Sequence, residues 1–434
     1  MAVNHDQNQQ QCVELRRDFH HFAETEWCEY RTTSKIAEHL IRLQIPVYMG
    51  EEISTPGWQF LYPSEERILQ EQQRAIAQGA DPELVARMDR LPGVVGVIET
   101  GRPGPVTALR FDIDALPMPE SKEADHRPMA EGFVSVNDGH CHACGHDGHA
   151  AIGMVLAQTL MEKKDQLCGT IKLIFQPSEE GGGGARGIVQ RGVLDDVQYF
   201  FAGHIGLTKL DGKPLLSHGI IGGTDDFLDS RRFNIHYTGK AAHSCGDPHK
   251  GKNALLAACH AALGVHSVAP HSEGMLRLNV GTMRAGSARN AIAANAVLEL
   301  EVRGVSDAVT DYGEERMRAV VQGAAAMYDV QCEIEVIGRT CSAKSDREAI
   351  DIVLNCAHQI PWFTEFHPIG SVGGSDDAAE MLRRVQKNGG VGAYIGLGAD
   401  FSASFHNGRF DFDENVLEPS VELFEKIIDQ LHKI

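Results

Sequence analysis

VTALRFDID (106–114), AAIGMVLAQTLMEKK (150–164), TIKLIFQP (170–177), GARGIVQRGVL (184–194) and YFFAGHIG (199–206) decide the fold. The first, third and fifth are short β-rich or apolar runs; the second and fourth carry apolar residues at helical spacing. Strands alternating with helices predict an α/β fold: a mostly parallel sheet covered by helices on both faces. VVGVIET (94–100) adds a strand before this stretch, and the same rhythm returns after Thr340. Upstream, Cys12 to Gln44 reads as two helices, with Trp27 and Tyr30 near their joint and Pro46 as the stop. Residues 51–92 differ. They are charged and Gln-rich, with one expected helix, and read as an insertion: a solvated surface segment first, a lid or partner surface second.

From Phe227 the pattern changes. FNIHYTG (233–239) alternates as a strand and NALLAACHAALGVHSV (253–268) is a helix. MLRLNVGTM (275–283) and AVLELEVRGV (296–305) are strands, DYGEERMRAVVQGAAAMY (311–328) a helix, and QCEIEVIG (331–338) a last strand. That β-α-β-β-α-β order is the split pattern of a ferredoxin-like α+β domain. The expected organisation is a larger domain of residues 1–226 and 341–434 interrupted by a smaller one of residues 227–340. A cleft between two such domains is a usual place for a substrate.

With 434 residues, at about 100–200 per domain, two or three domains are expected. The formal net charge of −20 argues against nucleic acid or an anionic membrane as the main partner, since both call for surplus Lys and Arg. No apolar run reaches the roughly 18 residues of a membrane span, and the polar start MAVNHDQNQQQ lacks the apolar core of a secretory signal. Ten cysteines are too dilute for a disulfide scaffold. The expectation is a soluble cytoplasmic protein with mostly free thiols.

The densest group of candidate ligands is HCHACGHDGH (140–149). Cys141 and Cys144 have redox-pair spacing, but no thioredoxin-like context surrounds them. A structural zinc knuckle lacks its second Cys pair. What remains is a metal site assembled from distant segments, with further ligands at the C-terminal ends of other strands, where open α/β sheets place their sites. Such residues are present. TIKLIFQP ends in Ser178-Glu179-Glu180; if that segment is extended, the two carboxylates point to opposite sides, one free to bind metal and the other to act as base. Gly181 to Gly184 lack the Gly-Lys-Ser/Thr of a phosphate loop. His204 ends an apolar run, His406 follows VGAYIGLG (391–398), and Asp112 and Asp114 share one face of a strand end.

RFDIDALP, HACGHDGH, FQPSEEGGGGA, AGHIG, GKAAH, GSARN, GSDD and FHNGRFDFDE, in this order, together with RRDFHHFAETEWCEYRTT near the start, resemble the amidohydrolase branch of the co-catalytic, di-metal metallopeptidases. That branch includes hippurate hydrolases and auxin-conjugate hydrolases. The insertion at 51–92 and the spacing from His243 to Pro248, Gly251 and Asn253 narrow the resemblance to its aminobenzoyl-glutamate hydrolases.

The resemblance implies two divalent ions per subunit, manganese first and zinc next. Cys144 would bridge them, with His146, Glu180, His204 and His406 as the other ligands and Glu179 as general base. Asp114 would orient a ligand; Asp112 falls where related peptidases place a metal-binding His. His243 and Asn290, on the inserted lid and dimerisation domain, would contact the substrate, and Arg303 is a weaker candidate for pairing a substrate carboxylate. In this family the His usually serves the site of a partner subunit, so a homodimer, or pairing with a related chain, is implied. The implied reaction is hydrolysis of the amide of an N-acyl or N-aroyl amino acid, such as aminobenzoyl-glutamate or indole-acetyl-aspartate. Ser178, Asp376 and Phe405 depart from the family pattern near the presumed pocket. They leave room for a metal-dependent aminohydrolase releasing ammonia from an aromatic amine; a non-catalytic partner subunit is the alternative that retention of Glu179 opposes.

Overall fold

A computed structural model describes residues 5–181 and 183–434. The chain divides into two compact units, one formed by residues up to Asp226 together with Ala343–Ile434, the other by Phe227–Ser342.

The larger unit is built on an eight-stranded sheet in the order Val47–Met49, Val94–Glu99, Thr170–Gln176, Val106–Asp112, Tyr199–Ile205, Val391–Leu397, Gly219–Ile221, Glu365–His367. The four central strands, from Thr170–Gln176 to Val391–Leu397, run parallel. Antiparallel pairing appears toward the edges, where Val94–Glu99 meets both Val47–Met49 and Thr170–Gln176, and Gly219–Ile221 meets Val391–Leu397. The central strands are buried along nearly their whole length, as strands covered on both faces must be. The register sets Asp112 beside Gln176 and His204 beside Gly396, so the C-terminal ends of these strands lie side by side.

The helix His146–Glu162 lies against this sheet so closely that a side chain at Gly153 would come within 2.6 Å of Phe175 and 2.7 Å of Phe111. Glycine there allows the contact, and Gly145, at φ 91°, makes the left-handed turn that starts the helix. Phe111 stacks on Phe175 and meets Phe424 of the C-terminal helix Leu417–His432 edge-on, which ties the last helix to the centre of the core.

The two N-terminal helices span His5–His21 and Tyr30–Arg42. The insertion at 51–92 carries two helices, Glu65–Ala77 and Pro82–Met88, where one was expected. Gly79, at φ 93°, breaks the first; Asp81 caps the second through the Glu83 amide, with Pro82 in its first turn. Nor is the segment only a solvated surface, because Ile68, Ala75, Leu84, Val85 and Met88 are buried in the same core as Ile36 and Leu40.

The smaller unit has the β-α-β-β-α-β order of a ferredoxin-like fold. Its four-stranded antiparallel sheet runs Gln331–Arg339, Asp229–Thr238, Asn295–Gly304, Leu276–Ala285, and the helices Ala254–His266 and Asp307–Tyr328 share one core with it. No helix among the described residues is long and apolar enough to cross a membrane.

Candidate metal centre

The C-terminal ends of the four parallel strands deliver the chemistry. After Val106–Asp112 come Asp112 and Asp114; after Thr170–Gln176, Glu179 and Glu180; Tyr199–Ile205 carries His204; and the loop after Val391–Leu397 carries His406. Cys144 and His146 arrive at the start of the helix His146–Glu162.

Cys144, His146 and His204 bring one potential ligand atom each to within 4.8 Å of one another, and so do Cys144, Glu180 and His406. The two groups share the Cys144 sulfur, which lies 3.5 Å from His204 Nε2. His406 Nε2 lies 3.3 Å from Glu180. A group of His146, Glu179 and Glu180 adjoins them.

Hydrogen bonds decide which nitrogens are free. His146 Nδ1 contacts the Asp114 carbonyl at 2.9 Å and its carboxylate at 3.2 Å, leaving a buried Nε2 without a hydrogen-bond partner. His204 Nδ1 lies 3.0 Å from the Ile205 carbonyl, so its Nε2 also faces the cluster. His149 is different. Its Nδ1 contacts Asp112 and its Nε2 accepts the Ile205 amide at 2.9 Å, so neither nitrogen is left for an ion although a group of Asp112, His146 and His149 is close enough to hold one.

These donors fit divalent ions. A buried imidazole nitrogen of His146 and a buried carboxylate oxygen of Glu180 lack hydrogen-bond partners. Burial, and then the charge of Glu180, push the Cys144 thiol well above its usual range. Burial, then Asp376 and Glu180, do the same to the Glu179 carboxyl. A cation among them would reverse both penalties.

The supports are as telling as the cluster. Asp114, expected to orient a ligand, binds His146 with one oxygen and accepts the Glu180 amide at 2.9 Å with the other. Asp112 is held by Arg110 and His149 and lies 3.8 Å from His146 Nε2. Burial alone would raise its pKa, but Arg110, His146 and His149 hold it well below the ordinary range. Glu179 and Glu180 do not continue an extended strand. Ser178 is left-handed at φ 51° and turns the chain, and buried Glu29 accepts the Ser178 amide at 3.2 Å. His406 is likewise left-handed, at φ 56°, and its amide donates to the Ala143 carbonyl at 2.9 Å.

Asp376 is held by Arg110 at 3.2 Å and by the Tyr394 hydroxyl. Its neighbour Asp377 meets Arg110 at 3.1 Å, Gln176 at 2.7 Å and the Ala185 amide at 2.9 Å. Phe405 lies edge-on to His204 with ring centres 5.6 Å apart.

In the smaller unit, His243 and Asn290 are neighbours: His243 bridges Ala291, and the Ser244 amide donates to the Asn290 carbonyl at 3.1 Å. Both are exposed. His243 Nδ1 accepts the amides of Cys245 and Gly246 at 3.1 and 3.0 Å, which puts the proton of the neutral ring on Nε2. Arg303 is not brought to them. It lies eight residues along the strand from Asn295, about 27 Å of extended chain, and pairs with Glu301 at 3.1 Å.

Behind the cluster is a buried ionic network that the sequence pattern does not reveal. Arg16, fully buried, meets Asp147 at 2.8 Å, Asp411 at 2.7 Å and Glu414 at 3.1 Å, and His20 bridges Asp147 to Glu120. Asp147 follows His146 directly, so the network anchors the turn that carries a candidate ligand. Burial would raise these carboxyls, but each is held below its ordinary range: Asp147 by Arg16, Asp411 by Arg127 with Arg16, and Glu414 by Arg17 with Arg16 and Arg127. Their contribution to stability is therefore present above the unfolded-state carboxyl pKa and lost as pH falls through the folded values. Arg16→Met is expected to cost about 3–5 kcal/mol, read from the urea midpoint at pH 7, because it strands buried carboxylates. A loss below about 1 kcal/mol would show that the carboxylates are compensated elsewhere.

The cysteines yield a second prediction. Cys144→Ser is expected to lower metal content and activity together, by at least the roughly 10–100-fold typical of losing an outer-sphere partner. Cys141 is fully buried, and burial pushes its thiol far up, so Cys141→Ser should leave metal content unchanged. Equal metal loss from both, by elemental analysis, would restore the Cys-x-x-Cys pair as the functional unit.

A parallel-centred α/β unit with candidate acidic and imidazole ligands at its strand ends, interrupted by a ferredoxin-like unit, is the arrangement of a metallopeptidase-type hydrolase. The chain belongs to the peptidase family M20/M25/M40, whose model matches residues 108–430. It is 43% identical over 409 residues to a p-aminobenzoyl-glutamate hydrolase subunit of Escherichia coli (strain K12), covering 94% of this chain and 92% of that one. It is also 43% identical over 412 residues to the indole-3-acetyl-aspartic acid hydrolase of Enterobacter agglomerans, covering 94% and 93%. Among solved structures, the aminobenzoyl-glutamate utilization protein from Klebsiella pneumoniae superposes with a TM-score of 0.82 at 36% identity, covering 98% of this chain and 96% of that one.

Proposed function

We propose that this protein hydrolyses the amide bond of N-aroyl or N-acyl amino acids, of the kind found in aminobenzoyl-glutamate and indole-acetyl-aspartate. The observation that carries this is the pair of ligand groups sharing Cys144, with Glu179 beside His146 but in neither of them. His146, His204, Cys144, Glu180 and His406 would hold two divalent ions, manganese ahead of zinc. Such ions, when bound, polarise a carbonyl and bring the pKa of water from about 15.7 toward about 7.

Glu179 takes the proton of the attacking water and returns it to the leaving nitrogen. His243 donates a hydrogen bond from its Nε2–H to the carbonyl oxygen as charge develops there, the tautomer that its backbone hydrogen bonds favour. Asn290, exposed beside it, contacts the substrate's polar groups.

A dimer formed through the smaller units is part of the proposal. The helix Ala254–His266 buries Ala257, Ala258 and Ala261, yet Leu255, Leu256 and Leu263 are exposed on it, Leu263 by 74%. A helix apolar on its outer side as well as its inner side is suited to a second chain. We place the protein in the cytoplasm, on a cysteine content of ten in 434 residues, too dilute for a disulfide scaffold.

The test is a panel of N-aroyl and N-acyl amino acids offered to protein loaded with manganese or zinc, following free amino acid and ammonia separately. Amino acid released without ammonia supports the proposal. Ammonia alone would assign the site to removal of an aromatic amine, and neither product to a binding role.

A further inference from the structure

Arg186 stands between two aromatic rings. Its guanidinium carbon lies 5.3 Å from the centre of the Trp58 ring and 5.1 Å from that of Phe60. Among the described residues no carboxylate pairs with it. Carboxylate partners are plentiful here, since acidic residues outnumber basic ones 60 to 40. The buried arginines are taken: Arg16 by Asp147, Arg110 by Asp112, Arg31 by Asp18, Arg231 by Asp229. A guanidinium set against aromatic faces keeps its N–H groups in the plane of the fork, pre-organised for a carboxylate.

The position links this group to the reaction. Arg186 lies in the first turn of the helix Gly184–Arg191. The loop that carries Glu179 and Glu180 closes where the Gly184 amide donates to the Ser178 carbonyl at 3.3 Å, only two residues before Arg186. The insertion that supplies the two rings is fixed on the same elements. A side chain at Gly183 would fall 3.0 Å from the Phe60 amide, the Trp27 indole donates to the Phe60 carbonyl at 3.0 Å, and the Thr55 amide donates to the Gly187 carbonyl at 3.0 Å. Arg303, the arginine expected from the sequence to meet a substrate carboxylate, is paired with Glu301.

We infer that Arg186, held between Trp58 and Phe60, binds the side-chain carboxylate of a dicarboxylic amino acid in the substrate. This rests on the amide-hydrolase proposal above and assigns the 51–92 insertion a role in specificity.

The test pairs N-(4-aminobenzoyl)-glutamate with N-(4-aminobenzoyl)-glutamine, which differ in that one charge. In Arg186→Met the ratio of kcat/KM for the glutamate over the glutamine compound should fall by about 10- to 100-fold, mainly through KM, as expected for loss of a charged hydrogen bond. Arg186→Lys should recover part of the ratio, since it keeps the charge but not the fork. Binding is followed separately by the fluorescence of Trp58, obtained as the difference between wild type and Trp58→Phe. Free L-glutamate should change it, L-glutamine should not, and the response should vanish in Arg186→Met. An unchanged ratio, or equal loss on both compounds, would overturn the inference. If the wild type hydrolyses neither compound while the glutamate response persists, the carboxylate site stands and the amide-hydrolase proposal falls.

Discussion

Replacing Glu179 by alanine is expected to lower turnover by about 10²- to 10⁴-fold while metal content stays at the wild-type level. Cys144 belongs to both ligand groups and Glu180 to one of them, whereas Glu179 is in neither and groups with His146 and Glu180. The Glu180 amide is tied to Asp114, which also fixes His146, so the ligand side of the turn is held without help from the Glu179 side chain. On the proposed assignment, removing Glu179 takes away a proton carrier and one of several crowded carboxyls, not a donor that an ion requires. Glu180→Ala should behave in the opposite way, losing metal first and activity as a consequence. Elemental analysis of both variants, alongside turnover, separates the roles. Metal loss in Glu179→Ala with retention in Glu180→Ala would exchange the two assignments.

The α/β class and the inserted ferredoxin-like pattern were legible in the sequence because both rest on local periodicity. VTALRFDID and TIKLIFQP are buried on both faces, and a continuous apolar run reports that directly. The grouping of candidate ligands was legible for a topological reason: parallel strands end on one edge, so residues just after them meet whatever the loop lengths between. The Glu179–Glu180 geometry was not. An extended continuation is the default after a strand, and the left-handed Ser178 depends on Glu29, distant in sequence. Arg16 with Asp147, Asp411 and Glu414, and Arg110 with Asp376 and Asp377, are equally hidden, since ion pairs hundreds of residues apart leave no periodic trace. His149 shows the opposite error that spacing invites. It sits in the densest run of candidate ligands, but the Ile205 amide and Asp112 occupy its nitrogens. The second helix of the insertion was announced by Asp81-Pro82, but a charged, Gln-rich composition obscured how much of that segment is buried.

His243 is expected to act across a dimer, and exchange of chains between dimers tests this directly. It lies on the rim of the smaller unit beside Asn290, exposed, with its Nδ1 committed to backbone amides and its Nε2 left to donate. A histidine with only a surface role would tolerate alanine, so the first expectation is that His243→Ala loses about 10²- to 10³-fold in turnover, the scale of removing one donor to a developing oxyanion. Metal content should be unchanged, as His243 belongs to neither ligand group. The second expectation concerns the source of the donor. Glu179→Ala and His243→Ala chains are each inactive; mixed in equal amounts and allowed to exchange at random, about half of the dimers carry one of each. In such a dimer one site has both lesions, while the other keeps its own Glu179 and receives an intact His243 from the partner. Roughly a quarter of wild-type activity should therefore return. Native mass measurement must first show that mixed dimers form. If they form and no activity returns, His243 serves its own chain or none. If His243→Ala alone is fully active, the oxyanion donor lies elsewhere.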